Sequence, residues 1–218
     1  MCFSASASFS AGTALCVVGL ITLKKVNTHK QIAFALIPLL FSIQQFAEGF
    51  VWLSLTNKNY ETWGDYSAHL FLFFAQVVWP IWVPFSIFLL EKNVNKRRIL
   101  LFMTRMGILL SSYLAYCLIV YPVKVEINSF HIDYSLQFPM PFAWIGGFVY
   151  FILTVFPAFI SSIKRMPLLG LLITVSYFFT KLFYSGYLIS VWCFFAAIIS
   201  IIVLYIITKK QDSLAVVK

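Results

Sequence analysis

Seven apolar stretches, each near the ~20 residues an α-helix needs to cross ~30 Å of hydrocarbon, constrain this chain more than any other feature. They lie at about Ser8–Leu23, Gln31–Leu55, Tyr66–Leu90, Arg98–Tyr121, Pro141–Ile163, Pro167–Ile189 and Val191–Thr208. A membrane barrel would instead show short segments of strict alternation, which the sequence lacks. Of the 218 residues 61% are hydrophobic and only 11% charged, too much apolar surface for a water-soluble fold of this size. The sequence therefore predicts an all-α integral membrane protein, a single domain over residues 1–218 built as a seven-transmembrane-helix bundle.

Basic residues test the number of spans. Lys24, Lys25 and Lys30 follow the first stretch, and Lys92, Lys96, Arg97 and Arg98 follow the third. Lys164 and Arg165 follow the fifth, and Lys209, Lys210 and Lys218 the seventh. Twelve of the sixteen basic residues thus fall on one side; the other side holds only Lys58 and Lys124. Cytoplasmic loops collect Lys and Arg, which puts the N-terminus outside and the C-terminus in the cytoplasm. The chain reads as a multi-pass protein of the cell membrane, the inner membrane of a bacterium. Its net charge of +9 then reflects topology and anionic lipid rather than nucleic acid. Met1 to Ser10 carry no charge, so the basic start of a secretory signal is missing. The four cysteines form no C-x-x-C pair and imply no disulfide framework.

Two loops on the outer side are longer than the rest. Thr56–Asp65 is polar and turn-forming, whereas residues 123–138 alternate apolar and polar about Asn128-Ser129, the pattern of a small extracytoplasmic β-hairpin. The short matches "IPLL" and "MPLL", opening the second and sixth stretches, hint at an internal repeat.

Polar residues inside the spans carry the functional reading. In "IQQFAEGFVWL", Gln44, Glu48 and Trp52 share a helical face and Gln45 lies beside it. Counting ~1.5 Å per residue from the outer ends puts Glu48 roughly 10 Å deep, His69 roughly 5 Å, Gln76 roughly 15 Å and Lys181 about 12 Å. His69, Phe73, Gln76 and Pro80 would form one stripe on the third helix. Tyr177, Thr180, Lys181 and Tyr184 would form one on the sixth. Charges at such depths normally face the bundle interior or water. Pro80 and Pro84 free backbone carbonyls in "QVVWPIWVPF", where Trp79 and Trp82 supply walls. The plainer readings stand beside these: a structural Glu48–Lys181 pair, a Lys181 stem reaching for headgroups, a hydrogen-bonding His69, and prolines acting only as kinks.

At "MCFSASASF" the chain resembles an uncharacterised prokaryotic family of multi-pass membrane proteins that open with Met-Cys-Phe-Ser-Ala. Gln45 to Glu48 match that family's Gln-x-x-Glu, and Trp79, Pro80, Trp82 and Pro84 match its Trp-Pro-x-Trp-x-Pro. The resemblance covers about the first ninety residues well and implies no activity.

The candidate pocket is therefore Glu48, Gln44, Gln45, His69, Gln76, Lys181, Tyr184, Trp52, Trp79, Pro80 and Cys2. Its first reading is a transporter or sensor of a small polar solute or ion, embedded in the lipid bilayer. The alternative is an intramembrane enzyme with Glu48 and His69 as base or ligands and Cys2 either as nucleophile or as a metal chelator with His69, His131 or Glu48. No H-E-x-x-H or G-x-S-x-G motif supports that alternative or names a cofactor. A retinal-type receptor is disfavoured, because the seventh helix has no lysine for a Schiff base.

Overall fold

The computed structural model describes residues 4–128, 131–139, 143–183, 189 and 195–215. Its helices are α1 (Ala5–Lys24), α2 (His29–Ala35), α3 (Ile37–Thr56), α4 (Gly64–Leu72), α5 (Trp79–Leu90), α6 (Val94–Val120), α7 (Ala143–Ile160), α8 (Met166–Phe183) and α9 (Ala196–Ala215). A 3₁₀ turn, Lys58–Trp63, precedes α4, and a π-helical turn, Phe73–Val78, joins α4 to α5. Among the described residues five helical spans are long and apolar enough to cross a membrane: Ala5–Lys24, His29–Thr56, Lys58–Leu90, Val94–Val120 and Met166–Phe183. In α7 and α9 the apolar stretches are shorter, Ile145–Ile160 and Ile199–Thr208.

The bundle is greasier outside than in at its most polar points. Glu48 and Gln44 are 0% exposed, whereas Ile119 and Leu182 are 84% and 78% exposed. A water-soluble protein would reverse that order, because exposed apolar surface costs free energy in water and none in lipid.

Small residues let α1 and α3 pack closely. Ser8, Gly12, Gly19 and Thr22 are buried on one stripe of α1, and the Ser42 hydroxyl donates to the Gly12 carbonyl at 2.7 Å. A Cβ on Gly19 would stand 2.5 Å from Leu39, and one on Gly49 2.8 Å from the Phe9 ring. Such small-residue seams are how helices associate where no water drives them together.

The second span, read from the sequence as one helix, is broken at Leu36. Pro38 lies at the start of α3 and has no N–H for the preceding turn. The Trp82 indole donates to the Ala33 carbonyl at 2.9 Å and so satisfies a backbone acceptor at the break. The start of α2 is set locally, since the backbone N–H groups of Asn27 and Thr28 donate to Gln31 Oε1 at 2.8 and 3.2 Å.

The third span is the most irregular. Pro80 and Pro84 remove two backbone donors, and the chain answers with the π turn just before Pro80. Neighbouring helices take up the loosened carbonyls: Tyr150 of α7 donates to Ala75 at 2.5 Å and Ser111 of α6 to Val77 at 2.7 Å. Gly107 lets α6 lie directly on the Pro80 carbonyl, which a Cβ there would overlap.

Residues 123–138 contain the expected hairpin: β1 (Val123–Asn128) pairs antiparallel with β2 (His131–Leu136), Val125 opposite Tyr134 and Ile127 opposite Ile132. An isolated hairpin is marginal, and this one is fastened by Ile132 and Tyr134, buried against Val51, Trp52, Phe71 and Leu118. The Tyr134 and Phe71 rings stack with centroids 4.9 Å apart. It covers the α3, α4 and α6 ends at the end of the bundle where the N-terminal helix begins.

At the opposite end, Glu91 fastens the turn after α5 to the turn after α7. Its carboxylate accepts from the backbone N–H of Lys92 and Asn93 (2.9 Å each) and Ser162 (2.6 Å), and from the Ser161 hydroxyl (3.2 Å). Burial pushes the Glu91 pKa up, but these hydrogen bonds outweigh it and leave the carboxyl below the ordinary glutamate value.

Gly107→Ala should cost about 1–3 kcal/mol through overpacking and lower the melting temperature of the purified protein. Gly147→Ala, whose Cβ meets nothing within 4 Å, should leave it unchanged or slightly higher. A depressed folded-state pKa means that the Glu91 contribution is intact above the ordinary glutamate value and disappears as pH falls through the folded one. Melting temperature should therefore fall with acidification below the ordinary glutamate range, and Glu91→Gln should start lower and lose that part of the slope.

Candidate functional site

Two features lie side by side in the bundle. The first is a cavity of about 400 Å³ enclosed by α2, α3, the π turn, α5, α6, α7, α8 and α9, with Leu136 and Phe138 of the hairpin region among its walls. Most of its lining is apolar: Phe34, Ile37, Phe41, Val83, Ile87, Leu114, Ile173 and Val203. Gln76, Trp79, Tyr150, Thr154 and Tyr177 supply the polar atoms. Tyr150 already spends its hydroxyl proton on the Ala75 carbonyl, and Thr154 on the carbonyl of Tyr150 at 2.9 Å. The Gln76 amide is half-buried in the wall and makes no side-chain hydrogen bond among the described residues.

The second feature is a polar cluster on α3, behind the cavity wall. Gln44, Gln45 and Glu48 are all buried, as is Trp52. Gln45 Nε2 donates to Glu48 Oε2 at 3.3 Å. The Trp79 indole donates to Gln44 Oε1 at 2.9 Å, and its ring stacks on Phe41 with centroids 3.9 Å apart. Trp79 is thus the partition: one edge bonds the polar cluster and the ring faces the cavity. Buried side-chain amides need such partners, because an unmet donor or acceptor costs about 1–3 kcal/mol.

The expected single polar pocket is divided and mostly apolar. Of the residues proposed for it, Gln76 and Trp79 line the cavity. Gln44, Gln45, Glu48 and Trp52 point inward as their shared face required, and Pro80 is buried against α6. His69 and Lys181 do not join them. His69 is exposed, with Nδ1 2.7 Å from the Asp65 carbonyl oxygen one turn earlier. The inward face of α4 runs instead through Ser67, Ala68, Phe71 and Leu72, and past it the wider winding of the π turn leaves Phe73 outward while Pro80 looks inward. Lys181 is also exposed, its Nζ 5.8 Å from the Tyr177 ring centroid. The inward face of α8 runs through Leu169, Ile173, Ser176 and Thr180 instead. Cys2 and Tyr184 lie outside the described residues. Among the described residues no three His, Cys, Asp or Glu side chains converge as metal ligands would.

Three participants were not singled out from the sequence. Tyr150 and Ser111 become visible only once the π turn shows which carbonyls need donors, and Glu91 reads as one more charge in a basic loop.

The Trp79–Gln44 bond sets the partition, so Trp79→Phe should destabilise the protein by about 1 kcal/mol by removing the indole donor to a buried amide. Combined with Gln44→Leu, thermal unfolding should show a coupling of about 1 kcal/mol between the two sites.

The chain belongs to a family of unknown function, DUF6629, whose match covers residues 1–217. No curated protein and no solved structure matches it.

Proposed function

We propose that this family member is a polytopic protein of the cell membrane that takes a small, mainly apolar solute into its bundle, as a transporter or sensor. What supports this reading is the 400 Å³ cavity with one amide, Gln76, left over in an otherwise oily wall. Ligand sites usually have this composition: an apolar enclosure with a few polar groups that fix orientation. The cargo would carry a hydrogen-bonding group at one end, a hydroxyl, carbonyl or amide, for Gln76, and a chain or ring for the Phe, Ile and Leu walls. A fully hydrated ion does not suit such walls, which moves the reading away from a freely polar solute.

The broken third span suits this role. A helix interrupted beside a cavity is a recurring way to build a mid-membrane site, and π turns recur at functional positions. With Lys and Arg gathered at the opposite end, the hairpin end would face outward. Leu136 and Phe138 would then form part of the external wall of the site. The enzymatic reading lacks a comparable observation, since its proposed Glu48 and His69 do not approach one another.

A medium-chain alcohol such as 1-decanol is a suitable probe. It should raise the melting temperature of the detergent-purified wild type in a saturable way. Val83→Phe, which fills the cavity, should abolish that rise. Gln76→Leu should weaken it by about 1 kcal/mol, roughly five-fold in affinity. Equal stabilisation of wild type and Val83→Phe would refute the site.

A further inference from the structure

The polar cluster holds more hydrogen-bonding capacity than its neighbours use. Gln45, Glu48 and Trp52 occupy one stripe of α3 at i, i+3 and i+7, all buried. Gln45 Oε1 and Trp52 Nε1 have no hydrogen-bond partner among the described residues, nor does Ser8 Oγ on α1. The antiparallel seam strings these atoms along one side of α3 over about 10 Å. Gly12 meets Phe46 and Gly49 meets Phe9, so Ser8 comes level with the turn that runs from Gly49 to Trp52. The hairpin roofs this region, with Ile132 and Tyr134 packed in the same cluster as Trp52 and Phe71.

Each buried unmet group costs about 1–3 kcal/mol, and native proteins leave only a few per hundred residues. Three along one seam call for an occupant. Their chemistry selects it. Trp52 Nε1 can only donate, Gln45 Oε1 can only accept, and Ser8 Oγ can do either. A metal cation would be repelled by the indole N–H, and an anion would face the amide oxygen and the Glu48 carboxyl. Water both donates and accepts, and buried water commonly satisfies such sets.

We infer that a short file of water occupies the space between Ser8, Gln45 and Trp52 beneath the hairpin and makes Glu48 a proton-binding site that exchanges with solvent at that end. The step is a simple transfer. A hydronium at the end of the file gives its proton to a Glu48 carboxylate oxygen and becomes water; the reverse step releases the proton.

Among the described residues few other titratable groups surround the site. The hairpin brings His131 and Tyr134, both buried, and the half-buried Asp133, and exposes Lys124 and Glu126. Cys117 is buried on α6 beside Leu118. Asp65 and His69 of α4, and Lys58 and Glu61 of the 3₁₀ turn, are exposed. The only charged residue of α1 is Lys24, at its far end. Burial and, after it, the charge of the N-terminal amine lower the His131 pKa. Ser8, Gln45, Glu48 and Trp52 do not line the cavity, so this site stands or falls independently of the apolar-solute reading.

Infrared difference spectroscopy of the full chain in lipid nanodiscs tests it. On acidification a protonated-carboxyl stretch should appear that is lost in Glu48→Gln and shifted in frequency in Glu48→Asp. In D₂O the wild-type band should shift to its deuterated position promptly, and more slowly in Gln45→Leu/Trp52→Phe, where the file has lost two of its anchors. If Glu48→Gln does not fold, the Glu48→Asp frequency shift and the wild-type exchange still decide. A spectrum with no titrating carboxyl assignable to Glu48 would overturn the proposal, as would a Glu48 band that resists deuterium.

Discussion

Inside hydrocarbon no water is available to take up a stray backbone carbonyl, and that constraint shapes the centre of this bundle. The third span violates regular helical bonding at Pro80 and Pro84, and its neighbours supply the missing donors. Tyr150 reaches Ala75, Ser111 reaches Val77, and Gly107 allows α6 to cover Pro80. Trp82 in turn serves Ala33 at the break in the second span. Three helices, α2, α6 and α7, are thereby held to one irregular strip of backbone. The cavity opens beside this strip, where the π turn swings Gln76 into the wall.

The same constraint governs the side chains. Gln44, Gln45 and Glu48 are turned fully inward while Ile, Leu and Phe cover the exterior. Trp79 separates this polar seam from the oily cavity, with its N–H on one side and its ring on the other. A disturbance at either feature has a direct physical route to the other through that single indole. At the far end Glu91 meets a similar need, joining two turns by accepting their backbone N–H groups.

Much of this architecture was legible in the sequence. Apolar runs marked the helical segments, and period-two alternation marked the hairpin. The inward set of α3 followed from i, i+4 and i+8 spacing, since nothing interrupts the helix between Ile37 and Thr56. Depth was the weaker guide. Residues counted to the same slab can point in any direction around their helices, and His69 and Lys181 are exposed while Glu48 is buried. For His69 the inward face of α4 passes through Ala68, one residue and about 100° away. For Lys181 the inward face of α8 passes through Thr180, one residue and about 100° away. The apolar character of the cavity was hidden for a related reason. Phe and Ile residues facing a void and those facing lipid look alike in a sequence, and only the packing of α2, α7 and α9 distinguishes them.

On the proposed reading, the space between the broken third span and its neighbours is a ligand site. The most direct measurement is a density map of the protein purified from its own membrane and held in a lipid nanodisc. The account predicts elongated density in the cavity, with one end within hydrogen-bonding distance of the Gln76 amide and the rest along Phe41, Val83 and Ile173. A map in which those side chains close the space, or in which Gln76 turns away to bond within the protein, would contradict it.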